Sequence, residues 1–293
     1  MSGPCIRVEL RGGLGNQLFQ AAIGFALTQR LTGELEFELA SFRSASLRSF
    51  GLEPFPHGAK IINSPRSLSF RLLRQVSKFV PAGAWTVAPG WGGPIFEEQS
   101  YAYDERIESL QGNHFLRGYF QSWRYFDAQK GELRRIFNPG QVASPKAREF
   151  AAIMSPHALS IHVRAGDFLN NPVANEVHGT LPADYYQRAI KLACAARRVD
   201  QMLCFSDNMP VAREILRDHA NVIFVEGFSQ YDDMFLMSSA KSHIIANSTF
   251  SYWSAWLDGR DDSFVIAPRA WFTPRELKKT YIGDLYPDHW ILL

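Results

Sequence analysis

The chain of 293 residues is longer than one ordinary domain of ~150 residues, so two domains are expected, with a single barrel as the alternative. Hydrophobic residues make up 46% and charged residues 20%, which indicates a folded globular chain and excludes a disordered one. A net charge of +2 excludes a broad nucleic-acid surface. Three cysteines without a CxxC pair exclude a disulfide scaffold and a cysteine-based zinc site, and they favour a reducing, cytoplasmic compartment.

The N-terminal segment has the pattern of an α/β domain. Residues 5–10 predict a strand that ends in a glycine-rich turn. Apolar residues at three- and four-residue spacing then predict a helix that stops near Gly33. Residues 34–39 alternate charged and apolar side chains, as a second strand does. Strand, glycine turn, helix and strand together predict an α/β fold for the first half.

A separate amphipathic segment covers residues 67–80. Wound as a helix, it places leucine, valine and phenylalanine side chains on one face and Arg71, Arg74 and Lys78 on the other. A surface helix packed on the domain is the favoured interpretation, because such helices are the rule in globular proteins. The alternative is a helix on an anionic membrane surface, which would place the protein on the inner face of the cytoplasmic membrane.

The second half alternates predicted strands and helices regularly. The strands are predicted at 159–163, 202–205, 222–225, 243–246 and 264–267, and the helices at 183–198, 210–218, 231–239 and 249–258. This alternation predicts a mainly parallel sheet. Prolines and a glycine punctuate residues 139–156, so we expect an N-terminal domain over 1–150 and a C-terminal domain over 151–293.

Ligands bind beyond the carboxyl ends of the strands in open parallel sheets. Polar side chains cluster at three of these ends: His162, Arg164 and Asp167; Asp207; and Asn247, Ser248 and Thr249. Parallel pairing would bring the three ends to one edge of the sheet.

Each of these groups has a chemical use and a structural alternative. Ser248 and Thr249 open a predicted helix, whose backbone N–H groups and positive dipole end would bind a phosphate. Arg164 can bind a diphosphate through its planar fork, and Asp207 can accept from a ribose diol or a base. The structural alternatives are a helix cap at Ser248 or Thr249, a turn at Asp207 and a hydrogen-bonded core histidine at His162.

The turn after the first strand resembles half of a dinucleotide fingerprint. Gly13 and Gly15 have the right spacing, and Glu38 lies where an acid that binds ribose would. Leu18 occupies the third glycine position, however, which argues against a nicotinamide-dependent oxidoreductase. Asn16 next to this turn adds a hydrogen-bonding side chain suited to the wall of a cleft.

Metal-binding patterns are missing from the sequence. It has no Asp-x-Asp triplet, no HExxH and no histidine pair at ligand spacing. No metal cofactor is therefore expected. If the reaction releases a diphosphate, cationic side chains and helix N–H groups would stabilise its negative charge.

Four segments together resemble glycosyltransferase family 11, the α-1,2-fucosyltransferases, in its bacterial type. They are residues 11–21 (RGGLGNQLFQA), 118–126 (GYFQSWRYF), 162–168 (HVRAGDF) and 246–253 (ANSTFSYW). The third segment also resembles a peptide of α-1,6- and protein O-fucosyltransferases. The matches extend over nearly the whole chain.

The resemblance implies a GT-B-like enzyme with two Rossmann-like domains, mainly parallel sheets and a cleft between an acceptor domain and a donor domain. It implies inverting transfer of L-fucose from GDP-fucose to the 2-hydroxyl of a terminal galactose, without a metal. The acceptor would be a glycan, lipid-linked if the 67–80 helix contacts a membrane. A fucosyltransferase of another linkage, such as α-1,6, remains an alternative.

Carried onto this chain, the resemblance implies a set of site residues. The donor-binding residues would be Gly13, Asn16, His162, Arg164, Asp207, Asn247, Ser248, Thr249 and Phe250. Arg164 would bind the diphosphate and act in catalysis. Separately from the resemblance, Asp167 is our candidate base for the acceptor proton, and the alternative is that it orients Arg164 or caps a loop. One departure is Ala165, because the related enzymes often have a second arginine there.

A glycan-binding protein without catalysis is the remaining alternative. It would use Trp85, Trp91, Trp123 and Tyr125 as stacking platforms for sugars. It gives no reason for Arg164 and a phosphate site at Ser248.

Overall fold

The structure is a computed structural model that describes residues 3–42, 48–63, 91, 93–166 and 176–293. The chain divides into two compact units. Unit 1 comprises Met1–Leu133 and Gly283–Leu285, and unit 2 comprises Arg134–Ile282 and Tyr286–Leu293. The amphipathic segment 67–80 and Asp167 lie outside the described residues. Within the described ranges, no helix is long and apolar enough to cross a membrane.

Unit 1 is built on a five-stranded sheet in the order β3-β2-β1-β5-β4, with every pair parallel. Its strands are β1 (Cys5–Glu9), β2 (Glu34–Glu38), β3 (Lys60–Ile62), β4 (Ile95–Glu97) and β5 (His114–Arg117). Helix α1 (Leu14–Leu31) connects β1 to β2, and α2 (Lys130–Ile136) contains the point where the chain passes into unit 2.

Helix α1 ends where the sequence predicts. Thr32 adopts the left-handed conformation with φ 53°, and its backbone N–H donates to Gln29. The N–H of Gly33 donates back to the carbonyl of Thr28 over 3.0 Å. These bonds satisfy carbonyls that the last helical turn would otherwise leave without partners.

Unit 2 contains a six-stranded sheet in the order β11-β10-β9-β6-β7-β8, again parallel throughout. Its strands are β6 (Ala158–Val163), β7 (Gln201–Ser206), β8 (Val222–Phe224), β9 (Ser242–Ile244), β10 (Phe264–Ala267) and β11 (Ile291–Leu292). Its helices are α3 (Pro145–Ala152), α4 (Ala183–Ala196), α5 (Met209–Ile215), α6 (Gln230–Ser239), α7 (Thr249–Trp256) and α8 (Pro274–Leu277).

The central strand β6 is buried along its whole length, as expected for a parallel strand covered on both faces. Alternate residues enter two separate cores. Leu159 and Ile161 pack with the residues of α4, whereas Ala158 packs with Leu203 and Phe205 of β7 and with the residues of α6. His162 lies on the second of these faces by the same alternation.

The passage between units lies earlier than the expected boundary at 150. Ala143 and Ala147 are buried in the same core as Leu203, Phe205 and Met237, so α3 belongs to unit 2. The proline and glycine residues at 139–156 therefore mark turns at the start of unit 2. The predicted α/β class with mainly parallel sheets is confirmed, and each of the five strands predicted in the second half is present.

Candidate active site

The carboxyl edge of the unit 2 sheet brings the predicted polar groups together. From β6 the chain proceeds to β7 and β8 on one side and then returns to β9 on the other side. A ligand site is expected at such a reversal of strand order. Val163 of β6 pairs with Ser206 of β7, so Arg164 and Asp207 leave neighbouring strands at the same level.

Arg164 lies beside the N-terminus of α7. Its Nη1 donates a hydrogen bond to Ser248 Oγ over 3.2 Å. Ser248 is the N-cap residue of α7, but its side chain makes no cap hydrogen bond to the helix backbone. The first N–H groups of α7 therefore have no side-chain cap, and a guanidinium lies next to them. Such a pairing of arginine and helix terminus suits a phosphate group.

Asp207 supports the loop that carries Arg164. Its Oδ1 accepts the backbone N–H groups of Ala165, over 2.8 Å, and of Gly166, over 2.9 Å. A Cβ atom at Gly166 would lie 2.8 Å from the carbonyl oxygen of Asp207, so only glycine allows this close approach. Oδ1 of Asp207, a carboxylate that we expected to accept from a ribose or a base, thus already accepts from the protein backbone.

The electrostatics of this edge favour one ionised carboxylate and one neutral imidazole. Burial acts to raise the pKa of Asp207, but the N–H groups of Gly166 and Ala165 and the nearby Arg164 lower it below its ordinary value. Burial, reinforced by the charge of Arg164, lowers the pKa of His162 to about 4. His162 is therefore uncharged at neutral pH, and its buried Nδ1 has no hydrogen-bond partner in the described part of the chain.

Asn247 serves the backbone of unit 2. It is 4% exposed, and its Nδ2 donates to the carbonyl oxygens of His178, Gly179 and Trp271 over 3.0–3.3 Å. The resemblance assigns Asn247 to binding of the nucleotide sugar, but its amide nitrogen holds two loops at the edge of the sheet. Its Oδ1 is buried without a partner among the described residues.

The remaining predicted residues of unit 2 have different outcomes. Thr249 is the first residue of α7, at the uncapped N-terminus. The Phe250 ring lies 6.0 Å from the ring of His162 and forms one wall beside it. Asp167 lies outside the described residues, so its role as a base stays a prediction.

The glycine turn of unit 1 opens α1 without a side-chain cap. Gly13 is the N-cap residue in an extended conformation, and a Cβ added to it would meet no atom within 4 Å. Gly12 has φ 80°, a conformation that favours glycine. Space next to Gly13 is compatible with close approach of a ligand to the backbone.

Side-chain amides fix this turn to the rest of unit 1. Gln17 Nε2 donates to the carbonyls of Gly12 and Ser49, each over 2.9 Å, and its Oε1 accepts the N–H of Gly51. Asn16 Oδ1 accepts from Gln121 Nε2 over 3.0 Å. The segments 11–21 and 118–126 therefore meet in space.

Sequence reasoning missed several residues with roles at these edges. His178 is one, because its carbonyl accepts a hydrogen bond from Asn247 Nδ2. Glu98 is another; it directly follows β4, and position after a strand is the pattern that could have revealed it. Of the four expected sugar platforms, Trp91 and Tyr125 are buried, Trp123 is partly exposed and Trp85 lies outside the described residues. Trp91 packs against Phe115. The rings of Trp91 and Tyr125 are therefore not available for stacking on a sugar.

Comparisons with known proteins agree on one family. Residues 102–293 match the profile of Glycosyl transferase family 11. The α-1,2-colitosyltransferase of Escherichia coli is 31% identical over 292 residues, which cover 97% of each chain. The galactoside α-(1,2)-fucosyltransferase 2 of Rattus norvegicus is 25% identical over 270 residues, with 87% of this chain and 67% of that protein covered.

A solved structure supports the fold. The crystal structure of a family 9 glycosyl transferase from Veillonella parvula matches with a TM-score of 0.51 and 13% identity. The match covers 99% of this chain and 85% of that chain. At this identity the likeness concerns the fold alone.

Proposed function

Because the chain belongs to glycosyl transferase family 11, we propose that it transfers L-fucose from GDP-fucose to the 2-hydroxyl of a terminal galactose in a glycan, with inversion. The observation that carries this proposal is the contact of Arg164 with Ser248 at the uncapped N-terminus of α7. A guanidinium and helix N–H groups suit the diphosphate of a nucleotide sugar.

In the proposed reaction, the acceptor oxygen forms a bond to C1 of the fucose as the bond from C1 to the diphosphate oxygen breaks. The electron pair of that bond leaves with GDP. Arg164 and the N-terminus of α7 stabilise the negative charge that grows on the diphosphate. The hydroxyl proton passes to a base, for which Asp167 is our proposal.

The other groups at this edge would orient the nucleotide. Asp207, held as a carboxylate, would accept from the ribose or the guanine. His162, held neutral, offers a ring nitrogen for a hydrogen bond and adds no positive charge. Thr249 and Phe250 would contact the nucleotide sugar from the first turn of α7.

We propose that the transfer needs no metal ion, since Arg164 and the helix terminus supply the positive charge that a cation would supply elsewhere. From unit 1, Gly13 and Asn16 would contact the nucleotide sugar. A lipid-linked acceptor, contact of residues 67–80 with the inner face of the membrane and a cytoplasmic location stay predictions.

A second donor is favoured by one relative. The similar protein from Escherichia coli is named for colitose, a sugar that differs from L-fucose by lacking the 3-hydroxyl group. Transfer of colitose from its GDP derivative is therefore the second candidate function. The same diphosphate site would serve both donors.

The first experiment is a calorimetric titration of the purified protein with GDP, UDP and NADH, each with excess EDTA. Binding of GDP alone, undiminished by the chelator, supports the proposal. Binding of NADH alone would move the site to the turn at Gly13 and overturn it. Loss of GDP binding in EDTA would contradict metal independence.

Transfer assays then separate the donors and the linkage. GDP-fucose and its 3-deoxy analogue are each offered with a galactose-terminated glycan, and the product linkage is determined by NMR. We expect an α-1,2 product from GDP-fucose. Faster transfer from the 3-deoxy analogue would establish the second candidate, and an α-1,6 product would contradict the proposed linkage.

A further inference from the structure

A buried carboxylate in unit 1 holds a turn that the proposed mechanism does not use. Glu98 follows β4, and its Oε2 accepts the backbone N–H of Tyr119 over 2.7 Å. Its Oε1 accepts the N–H of the next residue, Phe120, over 2.8 Å. Both oxygens of one carboxylate are thus hydrogen-bonded to consecutive residues of one turn.

The backbone of this turn has an unfavourable conformation. Phe120 has φ 52°, the left-handed region that bulky side chains rarely adopt. Gly118 leaves no room for a larger residue, since a Cβ there would lie 2.5 Å from Cβ of Glu98. Such a conformation persists only where surrounding contacts hold it.

The turn is hydrogen-bonded directly to the first two turns of α1. Gln121 Nε2 donates to Asn16 Oδ1, and Gln20 Nε2 donates to the carbonyl of Gly118 over 3.1 Å. These residues follow β5 and β1, which are parallel neighbours in the sheet, so the two segments lie side by side at its carboxyl edge. The turn therefore lies at the carboxyl edge, which is the edge where open parallel sheets bind ligands.

We propose that Glu98 is a positioning residue for transfer: it holds the turn 118–121 so that Gln121 orients Asn16 toward the substrates. The proposal rests on the function proposed above for Asn16. A positioning role differs from a purely structural one in its expected effects: loss of Glu98 should lower kcat while the thermal stability of the protein stays nearly unchanged.

The charged and titratable groups that face Glu98 set its response to pH. Arg11 and Asp104 act on it with opposite signs, and Tyr125 is also close enough to interact. Arg11 lies 4.4 Å over the ring of Tyr119, on the same turn. Burial raises the pKa of Glu98 to about 7, against the lowering by the two N–H groups and Arg11. Protonation removes one acceptor and loosens the turn.

The test compares Glu98→Gln with Glu97→Gln. The glutamine has the size of the native side chain but a single acceptor oxygen, so one N–H of the turn loses its partner. Glu97 is the adjacent exposed residue, whose carboxylate lies 3.9 Å from Arg117. We expect kcat to fall about 100-fold in Glu98→Gln, the order found for small misplacements, and to stay unchanged in Glu97→Gln.

Three further readouts distinguish positioning from a structural role. Affinity for GDP should change little in Glu98→Gln, because the diphosphate-binding groups are in unit 2. The acidic decline of kcat near neutral pH should disappear. Amide hydrogen exchange should accelerate in the peptide that contains Tyr119 and Phe120, and not across the rest of unit 1.

Unchanged kcat in Glu98→Gln, or acceleration of exchange throughout unit 1 with a matching loss of thermal stability, would overturn the inference. The exchange measurement does not depend on activity. If the wild-type protein fails to bind GDP or to transfer fucose, the proposed function fails, while the exchange result still decides whether Glu98 holds the turn.

Discussion

The carboxyl edges of the two sheets use polar residues in different ways. In unit 2, Arg164 lies beside a helix N-terminus, and the Nδ1 of His162 has no partner in the described residues. In unit 1, Gln17 and Gln20 are 1% and 0% exposed, and each bonds to backbone groups. The edge of unit 2 thus carries groups that suit a charged ligand, whereas the two glutamines of unit 1 hold the backbone in a fixed conformation.

The physical reason for the difference is the cost of burying polar groups. A buried amide or carboxylate destabilises the fold unless its hydrogen bonds are made. Unit 1 meets this condition within itself. At the edge of unit 2, Arg164 lies beside the N-terminus of α7, and both groups favour an anion. Loss of a buried amide in unit 1 should therefore act mainly on stability, whereas loss of Arg164 in unit 2 should act mainly on binding.

The largest effect is expected for Arg164→Ala. Removal of the guanidinium should weaken GDP binding and lower kcat/KM by about 100- to 1,000-fold, because it acts on the charge that develops in the transition state. Calorimetry and initial rates measure the two effects. The control is Arg188→Ala, which removes an exposed arginine paired with Asp184. Equal kinetics for both variants would remove Arg164 from the site.

A smaller effect is expected from loss of a buried amide in each unit. Asn247→Ala leaves three backbone carbonyls without their donor, and Gln17→Ala leaves two carbonyls and one N–H. Each change should lower the free energy of unfolding by about 3 kcal/mol, measured in urea. Only Asn247→Ala should also weaken GDP binding in the fraction that remains folded. Equal GDP affinities would contradict the difference between the edges.

Two glycines sharpen the comparison further. Gly166→Ala should cost about 1–3 kcal/mol of stability, because its Cβ would meet the backbone of Asp207. Gly13→Ala should leave stability nearly unchanged, since the added methyl group has open space. If a substrate approaches there, Gly13→Ala raises KM at an unchanged melting temperature. An unchanged KM would show that nothing binds close to Gly13.

The smallest effect concerns pH. The folded state lowers the pKa of Asp207, so this carboxylate contributes stability above the ordinary aspartate pKa of about 3.9. That contribution is lost as pH falls through the lowered value. Unfolding experiments from neutral pH to pH 3 should show a smaller acidic loss of stability in Asp207→Asn than in wild type. Parallel curves would mean that Asp207 has an ordinary pKa.

Much of unit 2 could be predicted from its sequence. The ends of the strands predicted from apolar runs lie within two residues of the observed ends. This is because buried strands and the helices that connect them differ in the spacing of their apolar residues. Helix α3 was not predicted, although Ser144 followed by Pro145 is typical of a helix start. Only the burial of Ala147 shows which core this helix joins. The role of Asn247 was equally hidden, because its partners lie 24 to 69 residues away.

The sequence by itself determined the α/β class, the parallel sheet of unit 2 and the strand ends where polar groups gather, because these depend on local periodicity and on residue type. Only the tertiary structure decided which polar groups remain available. Arg164 meets Ser248 and Glu98 meets Tyr119 through contacts between residues distant in sequence. Whether a buried polar atom bonds to backbone or awaits a ligand depends on packing, which residue spacing does not encode.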